Sequence, residues 1–167
     1  MVRPFAIAGV LISVAFTQAP LAAQGLVGTW ELASRTDRDS VGNLLSETSL
    51  GSLPIGYLIY DAAGHVAAQL SARDRVGLVC DSVGGSADPN NNANIAGYSA
   101  YFGRYEVDAK AGIVTHILAG TLAPVDIGKR LWRHFKVVGD TLTIWFEPLG
   151  ADGTPRHRTL VWHRRSE

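Results

Sequence analysis

Apolar and polar residues alternate along most of the chain in short runs. Trp30-Glu31-Leu32-Ala33-Ser34 alternates just after Gly28. Gly56–Tyr60 is aromatic and β-branched, and the turn residues 61–64 lead from it into His65–Leu70, a hairpin pattern. Tyr98–Val107 is a long strand candidate, turned by Asp108–Gly112 into Ile113–Leu118. Leu131–Val138 runs through Gly139-Asp140, a two-residue tight-hairpin signal, into Thr141–Phe146. Gly150–Gly153 makes another turn, and Thr159–His163 is the last run. The pattern therefore predicts eight strands joined mostly by short turns. A short helix over Leu70–Val79 is the one helical candidate, and no helical stretch exceeds two turns. Antiparallel strands in this up-and-down order favour closure into a barrel, which leaves no exposed edge. A flattened sandwich is the alternative.

Two segments break this rhythm. Met1-Val2-Arg3 is a short basic start, and Phe5–Phe16 is apolar or Gly at every position except Ser13. Thr17–Ala23 follows and ends in Ala22-Ala23, which is the organisation of a secretory signal peptide with cleavage near Ala23. The apolar stretch is well short of the ~20 residues of a transmembrane helix. The expected division is a signal peptide at 1–23 and one β-barrel domain at 24–167, located in the periplasm or secreted, with no stable membrane insertion after cleavage. The second break is Asp81–Asn94, rich in Gly, Asn, Asp and Ser, which reads as a long loop. Cys80 beside it is the sole cysteine, so there is no disulfide framework and no multi-cysteine metal site. No Lys, Arg or His flanks Cys80 to activate it, and it reads as an inert thiol.

Composition changes the picture only by exclusion. Lys+Arg and Asp+Glu are 15 each, and removal of residues 1–23 takes away Arg3 and no acid, leaving a formal charge of −1. There is no basic excess to bind nucleic acid. The apolar fraction of 47% is too high for disorder. The spacings of His65, His116, His134, His157 and His163 match no metal motif. Nucleophile-elbow, phosphate-loop and dinucleotide fingerprints are absent, so neither a metal nor a cofactor is expected.

Gly28-Thr29-Trp30 resembles the Gly-x-Trp that opens the first strand of lipocalin and calycin barrels. Segments 25–34, 56–60, 64–70, 100–108, 114–116, 139–143 and 160–164, in that order, resemble the lipocalin-like domain family of bacteria and fungi. The resemblance spans Gly25 to Arg164. It implies an all-β, eight-stranded antiparallel calycin-type barrel and, by analogy, binding of a small hydrophobic or amphipathic molecule. It also implies that Trp30 plugs the closed end under an arginine, either Arg133 or Arg164. The chain departs from the family pattern in its signal segment and at Ile117, where relatives often carry a second histidine.

Several residues are candidates for the site. Tyr101, Gly103, Tyr105 and Val107 share one strand face. Depending on a one-residue choice of register, His116 joins either Tyr101 and Tyr105 or Arg104 and Glu106. His116 is the candidate hydrogen-bonding or acid/base group. Arg133 shares the apolar face of Leu131, Phe135 and Val137, so its charge needs a partner. That partner is a ligand carboxylate, an internal acid among Glu31, Glu106 and Glu147, or the ring of Trp30. Tyr57 and Gln69, on the predicted hairpin, complete the ligand-binding candidates. The expected function is an exported carrier of a small apolar or amphipathic ligand. The alternative is a cyclase, isomerase or hydratase acting in the barrel through His116. The oligomeric state has no signature in the sequence.

Overall fold

The computed structural model describes residues 25–46, 49–74, 97–150 and 153–166. The signal segment, Cys80 and the 81–94 loop lie outside the described residues. The described chain forms β1 (Gly28–Arg38), β2 (Leu44–Leu45), β3 (Ile55–Tyr60), β4 (His65–Ser71), β5 (Tyr98–Asp108), β6 (Ile113–Thr121), β7 (Arg130–Val138), β8 (Thr141–Phe146) and β9 (His157–Arg164). A 3₁₀ turn at Pro124–Asp126 separates β6 from β7.

All the pairings among these strands are antiparallel. β1, β3, β4, β5, β6, β7, β8 and β9 pair in chain order, and β9 returns to β1 from Trp30↔Arg164 to Arg38↔His157. The eight strands therefore close into a barrel, and β2 is a two-residue extension beside the end of β1. Closure pairs the backbone polar groups that an open sandwich would leave at its edges. Gly139, at φ 56°, supplies the left-handed backbone that the two-residue link between β7 and β8 demands.

The alternation read from the sequence becomes the inside and outside of this barrel. Trp30, Leu32, Leu58, Tyr60, Val66, Ala68, Val114, Leu142, Ile144, Leu160 and Trp162 are buried together in one core. Complete burial of a large apolar side chain stabilises by roughly 1.5–3 kcal/mol, so this inward face holds the barrel shut. Strand ends run further than the apolar runs suggest, with β1 reaching Arg38 and β6 reaching Thr121. The short helix expected over Leu70–Val79 does not form in its described part. Leu70 and Ser71 complete β4, where they pair with Ser99 and Tyr98 of β5, and this cross-strand pairing takes the backbone groups a helix would have used.

One end of the barrel is closed. Trp30 is fully buried there, and its indole N–H donates to the Leu26 carbonyl at 2.8 Å. The Arg164 guanidinium lies 4.1 Å from the Trp30 ring centroid and donates to the carbonyls of Val27 (2.6 Å) and Gly25 (2.8 Å). Of the two candidate arginines for this place, Arg164 takes it, because β9 pairs Arg164 directly with Trp30. Arg133 sits elsewhere.

Candidate functional site

Above the Trp30 end the inward side chains leave a cavity of about 310 Å³. This is at the small end of the range of about 300–1,000 Å³ for small-molecule sites. Leu58, Ala68, Leu70, Ile144, Leu160 and Phe146 give it apolar walls. Leu50, Asp126 and Pro148, which lie outside the strands, line it toward the end away from Trp30. Trp132 is exposed on the outer face, and Trp145 stacks on His134 at 5.4 Å. Neither fills the interior.

One polar cluster of the cavity is built from β3, β5, β6 and β7, and Arg35 of β1 and Arg158 of β9 line the cavity as well. The β5–β6 register pairs His116 with Tyr105, so His116 shares the inward face of Tyr101 and Tyr105. His116 is 1% exposed. Its Nε2 stands 2.7 Å from the Tyr60 hydroxyl and its Nδ1 2.8 Å from the Tyr101 hydroxyl. Burial, and then the positive charge of Arg133, push the His116 pKa down to about 3, which keeps the imidazole neutral near pH 7. Burial also raises the Tyr60 phenol well above its ordinary value and raises Tyr101.

A neutral imidazole has one donor and one acceptor nitrogen, and this orders the protons. Tyr60 is 1% exposed, and among the described residues its hydroxyl has His116 as hydrogen-bond partner. An O–H left unsatisfied at that depth costs about 1–3 kcal/mol. Tyr60 therefore donates to Nε2, and the proton sits on Nδ1, which donates to the Tyr101 oxygen. With its oxygen accepting from Nδ1, Tyr101 has its own O–H left, among the described residues, to donate to another group in the cavity it lines.

Arg133 projects inward by the alternation of β7, between Leu131 and Phe135. Its guanidinium carbon lies 3.6 Å from the Phe146 ring centroid, and it donates to the Trp132 carbonyl at 3.3 Å. Burial lowers its pKa. None of the three acids that are candidate internal partners stands within ion-pair distance of it. Glu31 pairs with Arg165 at 3.0 Å, Glu106 pairs with Arg130, and Glu147 is exposed. Glu147 does share an outer hollow with Arg133 and Phe146.

The structure brings Tyr101, His116 and Arg133 together and separates the other candidates from them. Tyr105 contributes its ring to the core, edge-on to Tyr60 at 4.8 Å, while its hydroxyl donates to the Asp61 carbonyl at 2.9 Å outside the cavity lining. Tyr57 and Gln69 face outward and line a separate outer hollow, where the Tyr98 hydroxyl donates to Gln69 Oε1 at 3.0 Å. They are a cross-strand pair on the outer face.

Other polar groups of the interior have no local signal in the sequence. Tyr60 belongs to the predicted hairpin, but nothing in its own segment joins it to His116. Asp37, with no side-chain exposure, accepts from Arg158 at 2.7 and 2.6 Å and lies 3.8 Å from Arg35. A register shift between Leu32 and Ser34 in β1 resets the alternation and turns Arg35 and Asp37 inward. Trp162 lines the cavity with a buried indole N–H that has no acceptor among the described residues. Among the described residues no group of His, Cys, Asp and Glu is arranged to hold a metal ion.

A family model described as lipocalin-like domain matches residues 27–165. No curated protein matches the chain.

Proposed function

Because the chain belongs to the lipocalin-like domain family, we propose that its barrel holds a small apolar or amphipathic molecule, and that residues 1–23 export it to the periplasm or the exterior. The observation that carries this reading is the cavity of about 310 Å³, apolar along its walls, with Tyr101, His116 and Arg133 converging on it. A concave apolar chamber with a few convergent polar groups is what such ligands need. The binding reading is preferred to a cyclase, isomerase or hydratase. Proton transfer works best with a group whose pKa lies near the operating pH. His116, pushed down to about 3 with both ring nitrogens engaged by tyrosines, is poorly suited to it.

The test is native mass spectrometry of the protein purified from the compartment to which its own cell delivers it. The expected result is a bound small molecule lost on denaturation. A protein that is empty in every preparation, and whose leader is not removed, would overturn both parts of the reading.

A further inference from the structure

Most of the polar groups lining the cavity are donors, with the arginines Arg35, Arg133 and Arg158 among them. Arg133 offers guanidinium N–H groups, Tyr101 keeps its own O–H because its oxygen accepts from His116, and Trp162 carries an indole N–H without an acceptor among the described residues. The carboxylates of the lining and of the buried interior are already committed. Asp126 of the lining pairs with Lys129, and the buried Asp37 pairs with the lining residue Arg158. Among the described residues Arg133 meets neutral groups, the Trp132 carbonyl at 3.3 Å and the Phe146 face at 3.6 Å with the Tyr101 hydroxyl nearby, and feels the like charge of Arg158. A cation drawn into an apolar lining without a counter-charge is costly, and a ligand that brings one negative charge removes that cost.

Resting on the small-molecule reading, we propose that the bound molecule carries a single carboxylate, which docks on the Arg133 guanidinium and accepts a further hydrogen bond from the Tyr101 hydroxyl. A planar carboxylate matches the guanidinium fork and its single charge. Tyr60 and His116 are positioning residues: they hold the Tyr101 oxygen in place and fix which way its proton points. The apolar remainder of the ligand lies along Leu58, Ala68, Leu70 and Leu160.

The test is calorimetric titration of the folded protein with decanoate and with decanol, which share a chain and differ in the head. The wild type is expected to bind decanoate at least about tenfold more tightly, as charge-assisted hydrogen bonds require. That preference should shrink to near one in Arg133→Gln and fall severalfold in Tyr101→Phe. It should stay unchanged in Lys136→Gln, which alters the outer face of the same strand. Acidifying the wild type through the titration of decanoate should also abolish the preference, a readout that needs no variant to fold. Decanol and decanoate binding alike in the wild type, or a preference that survives in Arg133→Gln, overturns the carboxylate assignment and leaves the carrier reading standing. Binding of neither overturns both.

Discussion

The hydroxyl of Tyr60 donates to Nε2 of His116 across 2.7 Å, inside a barrel where both residues are 1% exposed. The pair ties β3 to β6 through the interior, and it makes folding depend on the imidazole staying neutral. The ordinary histidine value is 6.5, and in the fold it is pushed down to about 3. Below about pH 6.5 the unfolded chain therefore binds more protons than the folded one, so stability falls with falling pH. The slope is about 1.4 kcal/mol per pH unit until the folded value is reached, or roughly 2 kcal/mol lost at about pH 5. Asp39, lowered chiefly by the Asn43 side chain, and Asp61, lowered chiefly by the His65 backbone N–H, add their losses only at more acid pH. Urea titrations at a series of pH values should give this slope in the wild type and a flatter line in His116→Gln. An unchanged slope in the variant would refute the assignment.

Arg164 closes the barrel end in three ways at once, lying on Trp30 and donating to two carbonyls of the entering chain. Arg164→Ala should cost about 2–4 kcal/mol, from the lost cation–π contact and two carbonyls left without a donor. Arg164→Lys should recover less than half of this, since an ammonium cannot lie flat on the ring and reach both oxygens. Thermal and urea unfolding measure both. A loss below about 0.5 kcal/mol in the alanine variant, the size expected of an ordinary surface change, would show that the end is held by Trp30 alone.

Gly103 faces inward on β5 at the register shift against β6. A Cβ there would lie 2.0 Å from the Ile117 carbonyl oxygen and 2.9 Å from the Ala119 nitrogen, both backbone atoms. Gly103→Ala should destabilise by more than about 3 kcal/mol, at the upper end for single substitutions. Gly25→Ala, where nothing lies within 4 Å, should change stability by no more than about 0.5 kcal/mol. Equal melting temperatures for the two variants would contradict the close approach of β5 to β6.

Much of the barrel was legible because period-two alternation and turn chemistry are local. Thr141–Phe146 begins and ends where the Gly139-Asp140 link and the apolar run place it. The inward projection of Arg133 also follows from parity on β7 alone. What the sequence left open depends on pairing between strands. The choice of face for His116 needs the register of β6 on β5, which the Asp108–Gly112 turn leaves uncertain by one residue. Asp37 and Arg158 are far apart in the chain and meet only because β9 closes on β1. The inward turn of Asp37 depends on an irregularity after Leu32 that alternation cannot foresee. Tyr57 and Gln69 suit a pocket by residue type, yet they occupy the outward half of the same alternation that sends Leu58, Ala68 and Tyr60 inside.

A crystal of the protein grown with ω-bromodecanoate, with the bromine located by its anomalous scattering, reads out carboxylate docking in the barrel directly. The expected result is a bromine peak inside the barrel among Leu58, Leu70 and Leu160, with carboxylate density on Arg133 and Tyr101. A barrel without ligand density, or a bromine peak only in the outer hollow of Tyr57 and Gln69, would contradict it.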